Sequence, residues 1–283
     1  MKSLTLVTYL PYNRIFDLKK YFEQSVKNSE PDEVAVFIDN VYDEWQVEIL
    51  REKFNFKIYY GSWNSRILTW ISILDFFLSR EGSLLVVDSD NVLDKGVREF
   101  LKSYNEKILT FMDWDDWNNG SKGIMPRSER VGEIEFGGVK RPLYEYQVYN
   151  GSIFSSGATF FIGPKQAVFI SSKIDEEIYK RLKAAVLSLP KSLAKHITDE
   201  TFLGVLAYLI GLKKVKWTVG SRHFSLGPEV MIPKQLKIMR AVTALSHEVF
   251  ADSLYKQFRL NEFKKYKRKY MLARVKNTLS SLM

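Results

Sequence analysis

The sequence predicts an α/β fold, a mainly parallel sheet flanked by helices. Three observations carry the prediction. Short apolar runs alternate with segments of helical periodicity from the first residues to about position 112. The runs are nearly continuous in apolar residues, as strands covered on both faces are. Several stop abruptly on polar residues, most plainly in LLVVDSDNVL (84–93), where four apolar residues lead into two aspartates one residue apart.

Taken in order, residues 3–10 (SLTLVTYL) read as a buried strand, and Arg14 to Lys27 as a helix with Ile15, Leu18, Phe22 and Val26 at helical spacing. EVAVFI (33–38) is a second strand ending on Asp39-Asn40. Residues 43–53 read as a helix, and FKIYYG (56–61) as a third strand. Asn64 or Ser65 caps a helix whose Ile67, Trp70, Ile71, Leu74 and Phe77 share one face, with Gly82 placed to end it. LLVV is the fourth strand and, after one more helix, ILTFM (108–112) the fifth. From about 118 to 150 periodicity is lost in a Gly- and charge-rich stretch that reads as a long loop or insertion. GSIFSSGATFFIG (151–163), a charged helix near 174–187, a buried helix from Asp199 to about Ile210 capped by Thr198, and a last strand KVKWTVG (214–220) follow. The expected division is a main domain over 1–230, with a first half (1–117) and a second half (118–230). A basic helical extension occupies 231–283.

Composition narrows the function classes. The chain has no cysteine, which excludes disulfides, thiolate catalysis and zinc–cysteine sites, and fits a reducing compartment. Plentiful Lys and Glu without Cys points toward a thermophilic source. No apolar run approaches the roughly 20 residues needed to span a bilayer, and the N-terminus reads as a strand rather than a signal segment. A cytoplasmic protein, soluble or held on the inner membrane face, is expected. The charge is uneven: from Lys234 onward there are twelve Lys or Arg against three acids, which accounts for the whole net charge of +9.

Parallel sheets place ligands beyond the carboxyl ends of their strands. The residues there are Thr8 to Arg14, Asp39-Asn40, Gly61 to Arg66, Asp88 to Asp90 and Asp113 to Asp116. If extended backbone persists, Asp88 and Asp90 point to the same side. Two carboxylates so close repel unless a cation or proton lies between them. Mg²⁺ or Mn²⁺ prefers oxygen ligands and often takes one or two carboxylates plus substrate phosphates. The plainer alternative is that Asp88 starts a turn and Asp90 caps the next helix. A second acidic pair, Asp113 and Asp115 in MDWDDWNNG, competes for the same role, and its tryptophans equally suit a sugar-stacking surface.

The strand order, D-S-D after the fourth strand, and the later SSGATFFIG and TDETF segments together resemble a GT-A-fold glycosyltransferase over roughly residues 3 to 220. That resemblance implies transfer of a sugar from a nucleotide-diphosphate donor to an acceptor hydroxyl, with Mn²⁺ or Mg²⁺ as cofactor. It assigns the metal to Asp88 and Asp90, with His223 in the loop SRHFSLG as a third ligand. It assigns nucleotide and sugar contacts to Thr8, Tyr9, Arg14, Asp39, Arg66, Asp88 and Gly157. Asp199 or Glu200 would accept the acceptor's proton in an inverting enzyme. Both acids also suit a first helical turn for electrostatic reasons alone.

The acceptor expected on this resemblance is a glycan, a lipid-linked molecule or a protein. Residues 256–276 mix Phe263, Tyr266, Tyr270 and Leu272 with cations, which suits an anionic membrane surface first, a solvated helix next and nucleic acid last. Two rivals remain. A nucleotidyltransferase of similar sheet would open with a Gly-rich phosphate loop, whereas TYLPYNR has no glycine. A non-catalytic binding protein for a polyanionic surface would depend on the tail and not on Asp88 or Asp90.

Overall fold

A computed structural model describes residues 3–10, 18–39, 48, 52, 56–61, 66–104, 106–114, 128–147, 167–171, 175–187, 206–207 and 210–224. Ten strands form one sheet among them: β1 (Leu4–Leu10), β2 (Glu33–Asp39), β3 (Lys57–Gly61), β4 (Ser83–Val86), β5 (Asn91–Leu93), β6 (Ile108–Asp113), β7 (Ser128–Phe136), β8 (Val139–Gln147), β9 (Ala167–Ser171) and β10 (Lys214–His223). The helices are α1 (Glu23–Ser29), entered through a π-helical turn at Leu18–Phe22, α2 (Arg66–Leu78), α3 (Val97–Ser103) and α4 (Glu176–Leu187). The strand order is β3-β2-β1-β4-β9-β6-β10-β8-β7, with β5 paired to β10.

The expected α/β architecture is observed, and β3, β2, β1 and β4 run parallel as the alternation requires. β1 is buried at every position, and its Leu4, Leu6 and Leu10 meet Phe22, Val36, Leu85 and Phe111 in the main core. The second half is antiparallel in large part. β9 lies between β4 and β6 and runs against both, so β4 and β6 share a direction, and β10 follows β6 in parallel. The carboxyl ends of β1, β2, β3, β4, β6 and β10 therefore open on one rim. α2 starts at that rim immediately beyond β3, and it packs against α4.

Three expectations need correction. The 118–150 stretch is not a loop throughout, since β7 and β8 form an antiparallel hairpin within it. Gly137 and Gly138 turn it with φ of 60° and 74°, the left-handed pair that a two-residue hairpin turn of matching twist demands. Second, D-S-D leads into the short strand β5 and not directly into a helix. Third, the extended backbone does not persist through the two aspartates, as described below. Of the predicted helix at 43–53, Glu48 and Glu52 alone are described, both in helical backbone. The proposed helix at 199–210 lies mostly outside the described residues, and the basic segment beyond 224 wholly so. Among the described residues no helix is long and apolar enough to cross a membrane.

At the opposite end of the sheet, Asp32 ties the start of β2 to β1 and α3. Its carboxylate accepts from Arg98 at 2.8 Å and from the Leu4 N–H at 2.7 Å. The Arg98 hydrogen bond, then the Leu4 N–H, hold its pKa below the ordinary 3.8. Because the folded value is depressed, this contribution is fully present above the ordinary value and is lost as pH falls through the depressed one. The pair is largely exposed, so solvent screening limits it to roughly 0.5 kcal/mol. Asp32→Asn should lower the thermal midpoint slightly near neutral pH, and the difference from the parent should shrink in melts as the pH is taken below the ordinary carboxylate range.

Candidate functional site

The rim is organised around the end of β4. The β1–β4 register runs from Leu4 opposite Ser83 to Val7 opposite Val86, and the Val87 N–H still donates to the Val7 carbonyl at 2.9 Å. Asp88 thus leaves the sheet level with Tyr9. The backbone then turns: the Asn91 N–H donates to the Asp88 carbonyl at 3.0 Å, closing a turn over Asp88–Asn91. The alternative that Asp88 begins a turn is the one observed. Both carboxylate residues are nevertheless buried, Asp88 at 7 % and Asp90 at 2 % exposure, with Ser89 and Asn91 buried beside them.

What holds this turn is β5. On one side β5 pairs with β10, with His223 opposite Asn91, Arg222 opposite Val92 and Ser221 opposite Leu93. On the other side no strand is present among the described residues, and α1 side chains do a strand's work. The Ser25 hydroxyl donates to the Asn91 carbonyl at 2.7 Å and accepts from the Leu93 N–H at 3.0 Å. Asn28 Nδ2 donates to the Leu93 carbonyl at 2.6 Å. The Phe224 N–H reaches back to the Asp90 carbonyl at 2.9 Å, and the Phe224 ring stacks on Tyr21 at 5.1 Å. A three-residue strand needs such support because it makes few ladder bonds of its own.

Of the residues proposed from sequence, the structure gathers Thr8, Tyr9, Asp39, Asp88, Asp90 and His223 by backbone position along this rim, with Arg66 at the start of α2. Thr8 is fully buried, and its Oγ1 has no hydrogen-bond partner among the described residues. Asp39 closes β2 opposite Gly61. Asp113 ends β6 opposite Ser221, with β10 between it and β5. Asp113 and the strand that follows D-S-D therefore lie on opposite sides of β10. Arg14, Gly157, Asp199, Glu200 and Asp115 lie outside the described residues. No group of three His, Asp or Glu side chains converges among the described residues. Asp88 and Asp90 supply two carboxylates in one turn, a donor set that suits Mg²⁺ or Mn²⁺ completed by substrate phosphates.

Sequence reasoning missed a second cluster. Beyond β5, a cleft of about 330 Å³ is lined by Asp94, Lys95, Trp114, Gly137, Arg141 and Arg222, among others. Arg141, 2 % exposed, donates to Asp94 Oδ2 at 2.7 Å and to the carbonyls of Val219 and Phe136 at 3.0 and 3.1 Å. Its guanidinium lies 3.4 Å from the Phe136 ring centre. Burial pulls its pKa below the ordinary value, while Asp94 acts in the opposite sense. Trp114 Nε1 also donates to Asp94 Oδ2, at 2.6 Å. The hairpin tip is pressed against this wall, since a Cβ on Gly137 would stand 2.2 Å from the Lys95 carbonyl oxygen, and one on Gly96 2.6 Å from the Gly137 nitrogen. The adjacent glycines, flanked by Val, Ile, Phe and Tyr, were the signal for the hairpin. Arg141 carries no local signal.

No protein-family model matches the chain, and no curated protein matches it. Solved structures do. Residues 1–349 of TarS from S. aureus, in complex with UDP-GlcNAc, are 15% identical, with 96% of this chain and 79% of that one covered at a TM-score of 0.48. The inositol-1-phosphate CTP transferase from T. maritima is 12% identical over 84% of this chain and 94% of that one, at 0.45. The 4-diphosphocytidyl-2C-methyl-D-erythritol synthase from Anaerococcus prevotii is 14% identical over 77% and 89%, at 0.42. At such scores the likeness is too remote to carry chemistry across.

Removing Arg141 would leave Asp94 and two carbonyls short of a buried donor. Arg141→Met should lower the unfolding free energy by about 3–5 kcal/mol in urea titrations. Adding Asp94→Leu should recover part of that loss, because the uncompensated charge is then gone.

Proposed function

We propose that this protein transfers a sugar from a nucleoside-diphosphate donor to an acceptor hydroxyl. The observation that carries the reading is the buried Asp88–Asn91 turn at the carboxyl rim of a parallel sheet, level with Tyr9 and clamped beside His223. A site that faces a diphosphate needs carboxylates placed before substrate arrives, and here the backbone, not the side chains alone, fixes them.

Asp88 and Asp90 would hold a divalent cation, with His223 a candidate for a further ligand. When bound, such a cation neutralises charge on the departing diphosphate. Thr8, Tyr9 and Asp39, at the ends of β1 and β2, would meet the nucleoside, and Arg66, at the start of α2, the phosphates. In the reaction the acceptor oxygen bonds to the anomeric carbon as the bond from that carbon to the diphosphate oxygen breaks. The electron pair leaves with the nucleoside diphosphate. The hydroxyl proton passes to a carboxylate, for which Asp199 and Glu200 remain the sequence's candidates. The glycine-free TYLPYNR segment disfavours nucleotidyl transfer. A polyanion-binding role without catalysis has no support in the buried acids.

Calorimetric or thermal-shift titration of nucleoside diphosphates and their sugars, with and without Mn²⁺, tests the reading. Binding should tighten with metal, and Asp90→Asn should abolish that metal dependence. Transfer or donor hydrolysis in Asp88→Asn and Asp90→Asn should fall by about 10²-fold or more, in line with loss of an electrostatic stabiliser of the leaving group. Metal-independent binding, or full activity in both variants, would remove the basis of the proposal.

A further inference from the structure

The cleft beyond β5 carries charge that the donor site does not use. Its wall holds three cations, Lys95, Arg141 and Arg222, against one acid, Asp94. Arg141 is spent on Asp94 and on two backbone carbonyls. The surplus belongs to Lys95 and Arg222, which are partly or wholly open to solvent and form no ion pair among the described residues. Two cations facing one cleft repel each other, and an anion between them relieves that repulsion. Trp114 is locked in the wall by its hydrogen bond to Asp94, so its indole is a pre-set apolar surface. A volume of about 330 Å³ is enough for a group the size of one sugar or polyol phosphate.

Position says which molecule this anion belongs to. Along β10, side chains alternate, so Arg222 lies on the opposite face from Ser221, and on β5 Val92 lies on the opposite face from Asn91 and Leu93. The cleft and the D-S-D turn thus flank the short strand β5, the turn leading into Asn91 and the cleft opening at Asp94 and Lys95 after Leu93. A donor diphosphate bound at Asp88 and Asp90 does not need Lys95 or Arg222, whereas a second substrate approaching the same rim would pass them.

We propose that this cleft anchors an anionic group, phosphate or carboxylate, carried by the acceptor, with Lys95 and Arg222 as its charge partners and Trp114 as the apolar wall. The assignment rests on the sugar-transfer reading above. Anchoring the acceptor away from its reacting hydroxyl uses remote binding to orient the reacting oxygen.

The test is a calorimetric titration of the full chain with glycerol 3-phosphate, with glycerate and with uncharged glycerol. At least one anion should bind about tenfold or more tighter than glycerol, and the tighter of the two identifies the group. The Lys95→Ala/Arg222→Ala double variant should weaken that anion about tenfold or more, while the charge-keeping Lys95→Arg/Arg222→Lys variant retains it. Saturating nucleoside diphosphate should leave the anion's affinity in the parent unchanged. Equal binding of glycerol, an unaffected double variant, weakening by the charge-keeping variant to the same degree, or displacement by nucleotide each overturns the proposal. Anion binding in a protein that binds no nucleoside-diphosphate sugar overturns the transfer reading itself, and leaves an anion site that is no acceptor anchor.

Discussion

The second half of this molecule is assembled around one guanidinium. Arg141 enters from β8 and finds Asp94 after β5, the Val219 carbonyl on β10 and the Phe136 carbonyl at the end of β7. A cation this deeply buried is tolerated because its fork geometry meets a carboxylate and two carbonyls at once. The cost of desolvation means the contact is better understood as a device for register than as a source of stability. It fixes how the hairpin, the last paired strand and the segment after D-S-D lie relative to one another. Together with the Phe136 ring, stacked on Phe100 of α3, it sets the hairpin tip against Lys95 and Gly96.

The consequences reach the candidate site by a short route. β5 owes its place to β10 on one edge and to Ser25 and Asn28 on the other. The D-S-D turn owes its place to β5, to the last hydrogen bond with β1, and to Phe224. The turn that carries the two carboxylates is therefore held by backbone contacts from three separate parts of the chain. That division of labour explains how two acids come to be buried at 7 % and 2 % exposure in a turn of so few residues.

Much of the first half was legible in the sequence because there local pattern and tertiary placement agree. Apolar runs become β1 to β4, the Trp70–Leu74–Phe77 face becomes the buried side of α2, and the charged segment near 176 becomes α4. The acids of D-S-D were legible as residues but not as geometry, since a turn and a strand end look alike over three positions. β5 is too short to have a period. β7 is mostly exposed, so its alternation is masked by charge, and only the Gly-Gly turn betrays it. The lysine, tryptophan and two arginines of the cleft come from four distant segments, and no spacing in the sequence could join them.

The hydrogen bond from Phe224 to Asp90 also sets an order of events during synthesis. The acids emerge from the ribosome well ahead of β10, the last described strand of the sheet, which seals them. Until Ser221 to Phe224 are available, β5 has α1 on one edge and nothing described to replace β10 on the other. The nascent chain thus carries a half-built rim while the stretch from Leu93 to Ser221 is made, and its closure is non-local. The Asp88–Asn91 turn is therefore complete only once β10 has closed on β5.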